Sequence, residues 1–336
     1  MRNPAWTVDL PPSATGAPTG TSDTGPSDAA RSDFARDLHR ALSHRPSSIA
    51  PKHFYDAAGS ALFDRICTLP EYYPTRTEIG ILSDCAAEIA MHIGAHAEIV
   101  EFGAGSLTKV RLLLDALDSP RAYLPIDISG EHLAAAAQRL QMEFPWLAVH
   151  PVVADYTQPF ELPEPGGGGQ RVGFFPGSTL GNFSPDEALQ FLSQAAVLLR
   201  GGGLLLGVDL VKSPEVLHAA YNDAQGVTAA FNLNLLKRAN AELGCDFDLS
   251  AFAHSAFYNA PLQRIEMHLV SRRAQQVRLQ GESFGFREGE TIHTEYSHKF
   301  TVDGLRELAS RAGFRPGAVW TDAQRRFSVH WLQAPA

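Results

Sequence analysis

A glycine turn and three carboxylates are the first residues in this chain whose types and spacing could do chemistry. Glu101, Gly103 and Gly105 close an apolar run at 99–102, and Leu107, Val110, Leu113, Leu114 and Leu117 then recur at helix spacing. That order reads as a strand, a tight turn and a helix N-terminus. Glycine lets the backbone approach a ligand closely, because it carries no side chain and tolerates positive φ. Asp127 and Asp155 follow two further apolar runs, at 122–126 and 149–154. A carboxylate can accept from both hydroxyls of a ribose, which suits Asp127. Asp155, with Tyr156 beside it, suits the exocyclic amine of a base. Lys109 at the helix start suits a ligand carboxylate. Acids at the carboxyl ends of strands are where open α/β sheets hold nucleotides.

Composition narrows the class. The 336 residues are 44% hydrophobic and 19% charged, as in ordinary globular proteins. The net charge of −9 argues against nucleic acid as a partner. No apolar run approaches the ~18 residues of a membrane span. No apolar signal segment opens the chain, and Cys67, Cys85 and Cys245 are odd in number and form no metal pattern, so reduced thiols and a cytoplasmic location are expected. His92 and His96 are four apart but interrupted by Gly94, and no metal is expected there.

The elements that must position these residues follow from periodicity. Residues 1–32 are rich in Pro, Ser, Thr, Gly and Ala, show no period, and read as a disordered leader. A helix is expected from Asp33, and another from Thr77 to about His92. Strands are expected at 98–102, 122–126, 149–154, 172–175 and 204–210, with helices between them. Ser184-Pro185-Asp186-Glu187 reads as a helix cap. Alternation of strand and helix implies a parallel sheet with right-handed crossovers. The pattern then changes: 214–243 reads as helical, 264–271 and 275–279 as antiparallel strands, and 288–300 as a loop entering a strand. A helix at 301–312 and a strand at 327–332 return to the sheet. Gly166 to Gly169 read as a loose surface insertion.

The dinucleotide fingerprint G-x-G-x-x-G needs a third glycine, and Thr108 stands there, which weakens a nicotinamide cofactor. Glu101, Gly103 and Gly105 instead give E-x-G-x-G, a form common in S-adenosylmethionine (SAM) methyltransferases.

Longer strings are more specific. They are Phe54-Tyr55-Asp56 with Gly59-Ser60, Leu69-Pro70-Glu71-Tyr72-Tyr73-Pro74-Thr75-Arg76, Gly177-Ser178-Thr179-Leu180-Gly181-Asn182 and Asp209-Leu210-Val211-Lys212. Gly226 to Asn232, Arg264-Ile265-Glu266-Met267 and Thr294-Glu295-Tyr296-Ser297-His298-Lys299-Phe300 complete the set. From about Pro51 onward the chain resembles the L-histidine Nα-methyltransferases of ergothioneine biosynthesis. The resemblance implies a Rossmann-like α/β SAM methyltransferase core, from 77–212 and 300–336. It also implies a second, α+β substrate-binding lobe from 33–76 and 213–299. The implied reaction is three methyl transfers from SAM to the α-amino group of histidine, giving hercynine.

The resemblance further implies roles. Asn182 and Tyr221 would hold the substrate carboxylate, and Gly177 and Thr179 would also bind the substrate. Glu295 and Ser297 would bind the imidazole nitrogens, and Met267 would line their pocket. Tyr55 and Tyr72 would lie at the amine as the catalytic pair. Gly103, Gly105, Lys109, Asp127, Asp155 and Tyr156 would bind SAM. The chemistry suits the residue types: a carboxylate accepts an imidazole N–H in a charge-assisted bond, and a serine hydroxyl serves the other nitrogen. The expected partner is free L-histidine, with neither membrane nor nucleic acid, and a monomer is expected. Two other readings stay open: an N-methyltransferase for another amino acid such as tryptophan, and a non-catalytic SAM-binding partner protein.

Overall fold

The computed structural model describes residues 28–105, 107–128, 130–158, 160–163 and 169–336. In chain order it begins with α1 (Asp28–Ser43), β1 (Ser47–Ser48), a 3-10 turn (Pro51–Phe54), α2 (Ala57–Thr68), α3 (Tyr73–Asp84) and α4 (Ala86–Ile93). The central part holds β2 (Glu98–Phe102), α5 (Thr108–Ala116), β3 (Ala122–Asp127), α6 (Gly130–Glu143), β4 (Ala148–Val149), β5 (Val152–Val153), β6 (Arg171–Phe175), α7 (Pro185–Leu198) and β7 (Gly203–Asp209). Next come α8 (Pro214–Tyr221), α9 (Val227–Leu243), β8 (Phe252–Asn259), β9 (Arg264–Ser271), β10 (Gln275–Leu279), β11 (Glu282–Phe286) and β12 (Thr291–His298). The chain closes with α10 (Val302–Arg311), β13 (Arg315–Thr321) and β14 (Phe327–Gln333).

The main sheet has eight strands, ordered β13-β14-β7-β6-β2-β3-β4, with β5 also on β3. Strands β2 to β7 run parallel, while β14 and β13 return antiparallel. Every residue of β6 and β7 is buried, as a parallel strand covered on both faces requires. Two hydrophobic clusters lie along the sheet, one around Ile99, Tyr123, Phe174 and Trp331, the other around Val100, Phe102, Phe175 and Leu332. A third cluster draws only on residues 34–73 and 217–292 and packs α1, α2, α8 and α9 against a four-stranded sheet, β1-β12-β9-β8. Order reverses at β2, whose neighbours are β3 and β6, so a crevice is expected at the carboxyl ends there.

Several expectations need correction. Helix α1 begins at Asp28, so residues 28–32 of the expected leader are helical, and residues 1–27 lie outside the described residues. The helix expected from Thr77 is two helices: α3 starts at Tyr73, because Pro74 is preset for a first helical turn, and it ends at Asp84. The strand expected at 149–154 is split into β4 and β5 around Pro151, which has no N–H for the ladder. The helix expected over 214–243 is also two, parted where Asp223 accepts from the Val227 and Thr228 backbone N–H groups at 2.9 and 2.8 Å. Strands β8, β11 and β13 were not anticipated. Of the glycine tract, 166–168 lie outside the described residues. The Ser184 cap is a full capping box, its hydroxyl accepting from Glu187 N–H and Glu187 from Ser184 N–H.

Helix α3 lies against the sheet through Glu78, which occupies the space left by Gly207 of β7. A Cβ at Gly207 would stand 1.9 Å from Glu78 Oε1, whereas one at Gly80 meets nothing within 4 Å. Gly207→Ala is therefore expected to lower unfolding stability by ~1–3 kcal/mol through overpacking. Gly80→Ala, inside α3, should raise it by roughly 0.5–1 kcal/mol. Urea denaturation of both variants checks this, and equal effects at the two glycines would contradict it.

Candidate active site

The crevice at the carboxyl edge of the main sheet collects the residues of the glycine turn. Gly103 adopts φ +73°, and a Cβ there would lie 3.3 Å from the Tyr156 hydroxyl, so only glycine leaves this mouth open. Tyr156 packs edge-on against Phe102 and Phe175, with centroids 6.4 and 5.8 Å apart. Glu101 is buried and accepts from the Tyr123 hydroxyl, and burial pushes its carboxyl up to about 7. Asp127 is half-buried at the end of β3. Gly105 has open space around it.

Two residues of this mouth are already engaged. Lys109 forms an ion pair with the buried Glu78 at 2.6 Å, and Glu78 also accepts from the Gly177 backbone N–H at 2.9 Å. Lys109 is thus held in place by α3. Asp155 accepts from Thr157 N–H at 3.0 Å and Oγ1 at 2.5 Å, and from Lys52 Nζ at 3.3 Å. Burial alone would raise its pKa, but these bonds outweigh it and the net shift is downward. Lys52 comes from the 3-10 turn that precedes Tyr55, so this contact joins that segment to the main sheet.

Near this mouth stand polar groups that form no hydrogen bond among the described residues. Tyr55 packs edge-on against Phe63 and Phe231, and Tyr72 against Phe63 and Tyr221, with centroids 5.7–6.3 Å apart. Neither hydroxyl forms a hydrogen bond among the described residues, and the Asn182 amide and Glu295 carboxylate form none either. Burial, then nearby Glu295, raises the Tyr55 pKa well above its ordinary value; burial, then Tyr221, does the same for Tyr72. Both stay protonated near neutral pH and cannot act as strong bases. Thr179 Oγ1 donates to Pro176 O at 2.9 Å, and the turn approaches β12 at Gly181, where a Cβ would meet His298 O at 2.7 Å. Asn182 is carried on that turn, Thr179–Asn182.

Strand β12 aims its side chains through an irregularity. Its register with β9 shifts between His293 and Glu295, leaving Thr294 as an extra residue, a β-bulge. Thr294 Oγ1 donates to Asn232 Oδ1 at 2.8 Å and to Met267 O at 3.1 Å, which pins the bulge. Beyond it Glu295 pairs with Met267 in register and Ser297 with Ile265; both partners are buried core residues.

A buried charged network backs this strand, and no role was expected for its charged members. Lys299 Nζ donates to Asp209 Oδ2 at 2.9 Å, Ser297 Oγ at 2.7 Å and the Tyr221 hydroxyl at 3.3 Å. The Tyr221 hydroxyl lies 2.7 Å from Ser297 Oγ. It therefore sits beside the expected imidazole-binding serine. Asp209 also accepts from Tyr73 at 2.7 Å and Lys212 at 2.6 Å. Burial opposes the Lys299 charge, but Asp209 outweighs it and raises the pKa. The available signal was a charged residue at each end of this arrangement: Asp209 closing an apolar strand and Lys299 following a mostly polar one.

Burial pushes the Glu295 carboxyl up to about 7, with Lys299 opposing. A raised acid contributes stability that is full below its ordinary ~4.5 and lost as pH rises through the folded value. Glu295→Gln, which cannot ionise, should therefore be more stable than the parent at pH 8 by on the order of 1–3 kcal/mol, and not at pH 4.5. Denaturant melts at the two pH values check this; equal loss at both would contradict it.

Comparison with known proteins gives the family. A family model described as "Histidine-specific methyltransferase, SAM-dependent" matches residues 34–334. Histidine N-alpha-methyltransferase of Mycolicibacterium smegmatis is 42% identical over 87% of this chain and 92% of its own length. Ergothioneine biosynthesis protein 1 of Neurospora crassa is 31% identical over 85% of this chain and 33% of its own. A 4-dimethylallyltryptophan N-methyltransferase of Arthroderma benhamiae is 27% identical over 84% and 88%. With a family model over nearly all the described residues and a relative this close, the chain belongs to the histidine-specific, SAM-dependent methyltransferases.

Proposed function

We propose that the chain transfers three methyl groups from SAM to the α-amino nitrogen of L-histidine, giving hercynine in ergothioneine biosynthesis. The observation that carries this is Glu295: a carboxylate 8% exposed, without a hydrogen bond, next to a serine held by a buried lysine. A buried charge left unpaired is costly unless a ligand completes it. An imidazole N–H supplies that partner, and Ser297 meets the second nitrogen.

Gly103, Gly105, Lys109, Asp127, Asp155 and Tyr156 are the residues we assign to SAM. The open Gly103 turn and the acids at the strand ends fit a nucleoside with a charged amino-acid tail. Bound there, SAM supplies an electrophilic methyl group on a cationic sulfonium. Tyr55 and Tyr72 orient the amine through hydroxyls that stay protonated, so positioning is the main contribution. Asn182 holds the substrate carboxylate from the Thr179–Asn182 turn, with Gly177 and Thr179 also on the substrate side. Tyr221, expected at the carboxylate, directs its one proton to Ser297 Oγ and in this reading serves the ring side.

We take 33–76 with 213–299 as the substrate-binding part and 77–212 with 300–336 as the SAM part; the separate hydrophobic clusters support the division. We take the protein to act as a monomer. Among the described residues no helix is long and apolar enough to cross a membrane, and a cytoplasmic reaction on free histidine suits that. An indole substrate is the second reading, favoured by the tryptophan-type relative. An indole has one N–H and no ring acceptor, so it would leave Ser297 unmet.

Mass spectrometry after incubation with SAM and each amino acid tests the reading. Trimethylated product is expected from histidine only, and unmodified histidine while SAM is bound would sink the assignment. Glu295→Ala should weaken histidine binding roughly tenfold or more, as loss of a buried polar partner does, with SAM affinity unchanged. An equal fall in SAM affinity would remove Glu295 from the substrate side.

A further inference from the structure

We infer that Lys299 is a positioning residue that fixes the hydrogen-bonding sense of Ser297, so that Ser297 can only donate, opposite Glu295, which in its ionised form accepts. The inference rests on histidine being the substrate and concerns which form of its ring is held.

Donors and acceptors around Lys299 can be counted. A lysine ammonium has three N–H donors and no acceptor. Lys299 directs them at Asp209 Oδ2, Ser297 Oγ and the Tyr221 hydroxyl, at 2.9, 2.7 and 3.3 Å. Lys299 is 3% exposed, so water does not compete for them. Tyr221 accepts from Lys299, and its own proton points to Ser297 Oγ at 2.7 Å. A serine oxygen has two acceptor sites and one donor. Ser297 thus has both acceptor sites filled, by Lys299 and by Tyr221, and only its O–H remains for a ligand.

Glu295 is the opposite pole. When ionised it accepts only, and no protein donor occupies it. The pair therefore matches a ring with one N–H and one bare nitrogen: a neutral imidazole in a single tautomer, its N–H toward Glu295 and its lone pair toward Ser297. Without Lys299 the serine could rotate to accept from an N–H, and the pocket would take either sense. The asymmetry also bears on rings that only donate or only accept, since each satisfies one pole alone.

The test uses binding, in the presence of S-adenosylhomocysteine so that no turnover occurs. The probes are the two thiazolylalanines, whose ring nitrogen only accepts and lies at one or the other histidine ring position, and the two pyrrolylalanines, whose ring nitrogen only donates. Ser297→Ala should weaken the better-bound thiazolylalanine roughly tenfold and leave the pyrrolylalanines within twofold. Glu295→Gln should weaken the better-bound pyrrolylalanine by a similar factor. Lys299→Met should collapse the thiazolyl-to-pyrrolyl affinity ratio about tenfold, whereas a merely structural loss would lower both alike and overturn the inference. Tyr221→Phe, which frees the other acceptor site of Ser297, should shift the ratio in the same direction and serves if Lys299→Met does not fold. A thiazolylalanine indifferent to Ser297→Ala, in an enzyme that still needs Glu295 for histidine, overturns the donor sense alone. Histidine binding indifferent to both Ser297→Ala and Glu295→Gln overturns the histidine reading itself.

Discussion

Asp209 is the joint on which this protein turns. It ends β7 of the main sheet, is 1% exposed, and receives Lys299, Lys212 and Tyr73 at 2.6–2.9 Å. Each donor comes from a different place: the chain leaving β12, the loop after β7, and the first turn of α3. The Asp209 backbone N–H in turn donates to Ser178 Oγ at 2.9 Å, on the turn that carries Asn182. One carboxylate thereby connects the sheet that holds the glycine turn to the strand that presents Glu295 and Ser297. A charge this deep is tolerated because two cations and a phenol surround it, and removal of one partner from such a set is strongly destabilising.

Glu295 is the counterpart: a carboxylate in the same interior left without a hydrogen bond. Its elevated pKa and the elevated pKa values of Tyr55 and Tyr72 share one first cause, burial. Stability has been given up where binding needs it, as is common at sites. The two halves of the site differ in kind. The glycine mouth contains groups that already bond within the protein, Lys109 to Glu78 and Asp155 to Thr157, and so is preorganised. On the β12 side, Lys299 fixes Ser297 from within the protein, while the Glu295 carboxylate accepts no hydrogen bond from the described residues.

The main sheet was legible because fully buried parallel strands are continuous apolar runs; β2 and β3 fall within one residue of their expected bounds. The helix caps were legible where Ser184 and Pro185 state them chemically. Strand β8 escaped notice because Ala253, His254 and Ser255 give it no alternation of apolar and polar types. Strand β13 was hidden by Pro316 and Gly317, both poor in strands. In the site, Glu295 and Ser297 came from resemblance of strings, since an acid on a strand more often faces water. The bulge at Thr294 and the Asp209–Lys299 contact depend on tertiary register, which no local pattern carries. Periodicity places Glu78 only within a helix, although it anchors Lys109 and fills the gap at Gly207.

The central claim is that a network anchored on Asp209 presents Ser297 as donor and Glu295 as acceptor to a neutral imidazole. Nitrogen NMR of ring-labelled histidine, bound with S-adenosylhomocysteine, reads the protonation of each ring nitrogen directly. The account predicts two well-separated resonances, one from a protonated and one from a bare nitrogen, near neutral pH. Two protonated nitrogens, or one averaged pair as in free solution, would contradict it.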